Sequence, residues 1–225
     1  MQVGWKPRFG KLGTCMFLRT LHYIYDPLCG WCYGAAPLLR AAAEQDGLQI
    51  ELHAGGMMMG ARRQPVTPAL RQFVLPHDRR IAELSGQTFG EPYRDGLLND
   101  TEAVFDSEPP ITAVLAAESS GLALLERIQR AHFIEGRRIA EREVLESMAA
   151  DIGLDRLQFA TAFEQQAGWA TQKHVQQSRD LLHAVGGAGF PTFALESKGT
   201  WTVVDSSRYL GRVPEWIEAL KRLAE

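Results

Sequence analysis

Cysteine is scarce in this chain: its 225 residues include three, an odd number and too few for a disulfide framework. A fold stapled by crosslinks is therefore excluded, and a cysteine pair at short spacing reads as catalytic or metal-binding. Charge of one sign is also lacking. With 24 basic and 27 acidic residues the formal charge is -3, too weak a field to suggest nucleic acid or an anionic membrane as partner. Nowhere is there an apolar run of the about eighteen residues that a membrane span needs. Lys6, Arg8 and Lys11 resemble the basic start of an export signal, but Arg19 and His22 interrupt the apolar run that begins at Met16. The expected location is the reducing cytoplasm, where CxxC pairs shuttle between redox states. There is no internal repeat, no second CxxC and no HxxxH. A zinc site at the CxxC would need two further ligands, so no metal is expected.

What is present begins with apolar content. At 45% hydrophobic residues the chain can bury a large core, as one large domain or a small domain carrying an insertion. One stretch organises it: Tyr25-Asp26-Pro27-Leu28-Cys29-Gly30-Trp31-Cys32-Tyr33-Gly34. Residues 17–26 are rich in aromatic and aliphatic side chains and end at Pro27, as a buried strand closing into a loop would. A helix is expected over 31–44, where residues 35–44 are strong helix formers around Pro37, which should kink the helix rather than abolish it. Cys29 then falls at a helix start, where unpaired backbone N–H groups and the helix dipole stabilise a thiolate. Cys32 lies one turn further in, placed to attack a mixed disulfide on Cys29. Asp26, the nearest acid, either helps deprotonate Cys32 through water or caps the loop.

Further along, residues 48–54 alternate apolar and polar, as an edge strand does. Met57, Met58 and Met59 follow between glycines and read as core filling or a loop anchor. Residues 66–185 carry hardly any strand signal; helical spacing recurs over 111–131, 137–150, 156–166 and about 170–185, with Asp155 as an N-cap. A hairpin is expected from 190–195 and 201–204, then a C-terminal helix whose apolar face carries Val213, Trp216, Ile217, Leu220 and Leu223. Residues 1–15 lack periodicity and read as an N-terminal extension that leaves Cys15 as a lone thiol. The six histidines are scattered. None is assigned a catalytic role, and His132 is expected to pack between helices.

This order resembles the DsbA-like thioredoxin-fold family. Three local matches carry the resemblance: Cys29-Gly30-Trp31-Cys32, Gly189-Phe190-Pro191-Thr192-Phe193, and the segment from Gln129 to Arg137. Pro37, five residues after Cys32, is similar to the kink proline of the thioredoxin active-site helix. The aromatic beside the second cysteine is similar to a cytoplasmic branch labelled predicted disulfide isomerases.

The resemblance implies an α/β thioredoxin fold of sheet order 2-1-3-4 with an inserted all-helical domain. The first half would span 16–56, the insertion 57–185 and the second half 186–225. It also implies a cis peptide before Pro191 that holds Phe190 beside Cys29, so that Gly30, Trp31, Phe190 and Pro191 meet the substrate. The family's buried acid, six residues before the first cysteine, is replaced here by Tyr23, leaving Tyr23 and Asp26 as candidates for the proton relay.

The implied activity is thiol-disulfide exchange on protein or low-molecular-weight thiols and disulfides. It needs no cofactor beyond the redox-active disulfide, and glutathione is a candidate exchange partner. Two rivals stand beside it. One is a glutathione-dependent transferase or isomerase of the kappa or hydroxychromene-carboxylate isomerase type, which carries serine where Cys29 stands. The other is a non-catalytic peptide-binding module on the same fold.

Overall fold

A computed structural model describes residues 19–223. The expectations for residues 1–15, for Cys15 and for the first strand's start at residue 17 lie outside the described residues. Strand β1 (Arg19–Tyr25) runs into the cysteine loop, and the following helix divides into α1 (Gly30–Gly34) and α2 (Ala36–Ala43). The break falls at Ala35, two residues before Pro37, whose ring cannot donate to the preceding turn. Strand β2 (Leu48–Ala54) pairs parallel with β1 from Arg19↔Leu48 to Tyr25↔Ala54.

After the long helical segment, β5 (Thr192–Ser197) pairs antiparallel with β1, and β6 (Thr200–Val204) with β5. The sheet order is β2-β1-β5-β6, which is 2-1-3-4 counted within this sheet, with the alternating strand at the edge. A thioredoxin fold with a helical insertion is therefore the architecture.

Between β2 and β5 lie α3 (Pro68–Ser85), α4 (Glu108–Ala116), α5 (Gly121–Phe133), α6 (Arg142–Asp151), α7 (Arg156–Gln166) and α8 (Trp169–Ala184). Strands β3 (Gln64–Pro65) and β4 (Val104–Phe105) add one two-residue ladder within this helical segment. Two expected helices are shorter than their periodicity suggested. The stretch 111–131 breaks at residues 118–120, where Glu118 takes a positive φ of 47° ahead of Ser119, Ser120 and Gly121. Residues 137–141 are not helical because the chain reverses at Gly136, φ 66°, where a Cβ would lie 2.2 Å from the Pro92 carbonyl oxygen. Asp155 caps α7 as expected, accepting from the Gln158 N–H at 2.9 Å.

The core on one face of the sheet is aromatic. Tyr23 packs on Tyr25 and Phe193, and Phe193 meets Trp216 of α9 (Val213–Leu223) edge-on at 5.1 Å. Trp216 is fully buried and its indole N–H donates to the Leu38 carbonyl at 2.9 Å, which fastens α9 to α2. Trp216→Phe will remove that hydrogen bond and part of the ring volume. The expected cost is about 1–2 kcal/mol, read as a lower denaturant midpoint at unchanged m-value. His132 packs in the helical segment against Tyr93, Phe105 and Phe133. Burial holds it neutral by pushing its pKa down to about 3.

Candidate active site

The loop after β1 is tied down by one acid. The Asp26 carboxylate is fully buried and accepts from the Leu28 N–H at 2.9 Å, the Met57 N–H at 2.5 Å and the Ser107 hydroxyl at 3.0 Å. It thus joins the cysteine loop, the methionine loop after β2 and the start of α4. Burial outweighs these donors and the nearby Arg62, and lifts its pKa to about 6. Of the two roles expected for Asp26, loop capping is plain in these bonds. Met57, Met58 and Met59 are half-buried against the core, as expected of an anchor.

Cys29 is the N-cap of α1: its backbone is extended (φ -82°, ψ 114°), while its carbonyl already accepts from the Tyr33 N–H at 3.1 Å. Its thiol faces the other end of the chain, donating to the Phe190 carbonyl at 3.6 Å. The Phe190-Pro191 peptide is cis. The thiol and the proline loop, 161 residues apart, are therefore in contact. Both cysteines are free thiols, and Cys32 is sealed from solvent while Cys29 keeps 5% exposure. Burial first, then the Cys29 thiol hydrogen-bonded to it, pushes the Cys32 pKa up; the Asp26 backbone N–H, donating to the sulfur, works the other way. Tyr23 donates its hydroxyl to the Cys32 carbonyl at 3.2 Å, and burial raises its pKa well above the usual tyrosine value. That leaves Tyr23 a neutral brace on α1.

Trp31 and Phe190 are half-buried and line a groove of about 480 Å³ together with Gly189, Pro191, Thr192 and Val203. The Phe190 ring occupies the place where a Cβ on Gly55 would stand, 2.0 Å from its Cζ. Gly55 is thus required by close approach, and Arg179 of α8 holds that turn by donating to the Gly55 and Gly56 carbonyls, each at 2.7 Å.

Three residues near the site had no sequence signal. Ser107 looks like any loop serine, and Arg179 sits in an ordinary amphipathic helix. Asp78 of α3 is buried against α1, with its Oδ1 3.1 Å from where a Gly30 Cβ would be. It accepts from the Tyr93 hydroxyl at 3.1 Å, and burial lifts its pKa to about 6.

A family model for the DSBA-like thioredoxin domain matches residues 20–210. The chain belongs to that family. It is a DsbA-like disulfide oxidoreductase. Among solved structures, it is 56% identical to the cytosolic disulfide reductase DsbM from Pseudomonas aeruginosa, covering 91% of this chain and 100% of that one at a TM-score of 0.85. The structure of DsbM with GSH matches at 54% identity, 91% and 98% coverage, and a TM-score of 0.84. A 20% identical protein from Nitrosomonas europaea, covering 92% and 99% at a TM-score of 0.74, shares the fold. No curated protein matches the chain.

Proposed function

We propose that this protein reduces disulfides through Cys29 and Cys32 and exchanges electrons with glutathione in the cytosol. One observation carries the reading: the Cys29 thiol lies at a helix start against the carbonyl of Phe190, beside cis-Pro191, with Cys32 sealed behind it. The 56% identity to the reductase DsbM and the DsbM structure with GSH support the direction and the partner. Among the described residues no helix is long and apolar enough to cross a membrane. The return of the chain to β1 through β5 supports dividing it into a first half over 16–56, a helical insertion over 57–185 and a second half over 186–225.

In the reaction, the Cys29 thiolate attacks one sulfur of the substrate disulfide. A Cys29–substrate bond forms and the other sulfur leaves as a thiolate that takes a proton from solvent. Cys32, deprotonated, then attacks the Cys29 sulfur and expels the second substrate thiol. The Cys29–Cys32 disulfide that results has given up two electrons, and two glutathiones restore the dithiol as they become glutathione disulfide. Trp31, Gly30, Phe190 and Pro191 form the substrate wall. The backbone of Phe190, beside Cys29, pairs with an extended substrate as an added strand.

Cys32→Ser isolates the first step. Treated with glutathione disulfide, this variant is expected to accumulate one glutathione per chain, bound at Cys29 and read by intact mass and peptide mapping. The wild-type dithiol will pass through the same adduct without storing it. With Cys15→Ser added, absence of the adduct at Cys29 in Cys32→Ser would falsify the assignment of Cys29 as the attacking thiol.

A further inference from the structure

The sheet face turned away from the dithiol carries a group of side chains that the redox chemistry does not use. Residues alternate along β1, so Tyr23 reaches Cys32 while His22 points to the opposite side. There His22 meets His53 and Glu51 of β2. The His22 Nδ1 lies 2.9 Å from the His53 Nε2 and 3.4 Å from the Glu51 Oε2, and these last two atoms are 3.7 Å apart. We propose that His22, His53 and Glu51 form a binding site for a single zinc ion.

Three features carry the inference. Zinc takes imidazole nitrogen and carboxylate oxygen at about 2.0–2.2 Å in a tetrahedron, which sets donor atoms about 3.3 Å apart. The three separations here, 2.9, 3.4 and 3.7 Å, straddle that value, and a point about 2 Å from all three donors exists near their plane. Two histidines and one carboxylate with a fourth position left open is a known zinc ligand set.

The second feature is the partner of the other imidazole nitrogen. The His22 Nε2 lies 3.2 Å from the Glu196 carboxylate of β5. With the proton held on Nε2, the Nδ1 lone pair faces His53 and Glu51. Carboxylate–histidine pairs of this kind fix the tautomer and orientation of a metal ligand. Trp201 of β6 stacks on the His22 ring at 4.4 Å between centroids and holds its plane.

The third feature is access. The His22 side chain is 7% exposed, His53 20% and Glu51 44%, so an ion would enter from the Glu51 side and come to rest against a buried imidazole. His174 of α8 is neighbour to His53 but accepts the Ala54 N–H at 3.0 Å through its Nε2, so it stays out of the ligand set. A bound ion would clamp edge strand β2 to β1, with Glu196 linking the clamp to β5.

The test uses tag-free protein in the Cys29–Cys32 disulfide form with Cys15 alkylated, so that no thiolate competes for metal. Zinc chloride is titrated calorimetrically, and cobalt chloride is followed by visible absorption. Expected are one zinc per chain and the visible bands of tetrahedral cobalt. Glu51→Gln and His53→Gln should each weaken binding by at least about 100-fold, and Glu196→Gln by about 10–100-fold, the usual reach of an outer partner. Melting should rise with zinc in the wild type and stay fixed in His53→Gln, while dithiol reductase activity of that variant is unchanged. A wild type with no saturable binding would show a hydrogen-bonded histidine pair and overturn the proposal. So would Glu51→Gln or His53→Gln binding zinc as the wild type does.

Discussion

Cys29→Ser will abolish disulfide reduction, lowering the second-order rate with glutathione disulfide by about 10³-fold or more. Serine keeps the size and the hydrogen bond to the Phe190 carbonyl, but its alkoxide is out of reach at neutral pH and cannot form the mixed disulfide. Cys32→Ser will behave differently, because it leaves the first attack intact and stops only turnover. The asymmetry follows from burial: Cys29 keeps a 5% opening beside the cis-proline loop, whereas Cys32 has none. Stopped-flow rates of glutathione disulfide consumption in the two variants check it. Equal loss of the first bond-forming step in both would mean that Cys32 takes part in the first attack rather than only in resolution. A Cys29→Ser variant retaining wild-type turnover would remove the chain from dithiol chemistry altogether.

The redox half of this site is legible in the sequence because its parts are local. A strand ending at a proline, two cysteines at a two-residue spacing and a Phe-Pro before a hairpin each declare themselves within ten residues. The edge position of β2 is legible too, since its period of two needs one face less buried. What joins these parts is not local. Asp26 reads as a turn residue until Met57 and Ser107, 31 and 81 residues further on, are seen donating to it. Gly55 reads as a flexible glycine, yet its lack of a Cβ makes room for the Phe190 ring.

The helix boundaries at residues 117–121 and 137–141 escaped for a related reason. Helical periodicity continues across both, and the breaks are set by backbone contacts such as that between Gly136 and Pro92. The histidines show the limit most clearly. His22 and His53 look scattered in the chain, and only the parallel register, with His22 opposite Glu51 and Ile24 opposite His53, brings the donors together.

Asp26→Asn will flatten the acid limb of the stability curve and slow the resolving step. The sign follows from the folded carboxyl, which burial lifts from 3.8 to about 6. Between about pH 4 and pH 6 the folded protein holds a proton that the unfolded chain has released, so stability falls as pH rises through this window and levels above it. At about 1.36 kcal/mol per tenfold change, the full decline amounts to about 3 kcal/mol. Asparagine does not titrate, so the wild type's decline of about 2 kcal/mol between pH 4 and pH 7 from this group should be absent in the variant. Denaturant midpoints across the range read this directly. Asp26→Ala, by contrast, leaves the Leu28 and Met57 N–H groups without their acceptor and should be less stable than Asp26→Asn at pH 4. The same carboxyl is our candidate for taking the Cys32 proton, because its charge lies close enough to act with burial in holding that thiol protonated. Resolution of a preformed Cys29–glutathione adduct should therefore accelerate through about pH 6 in the wild type, as the carboxylate becomes free to accept a proton. In Asp26→Asn that step should lose its inflection and run at least about tenfold slower at pH 7. Loss of the stability slope with unchanged resolution kinetics would leave Asp26 as the clamp of three loops and nothing more. Loss of both would make one buried carboxyl the clamp and the proton acceptor, the role for which the residue six positions before Cys29, here Tyr23, has no charge to offer.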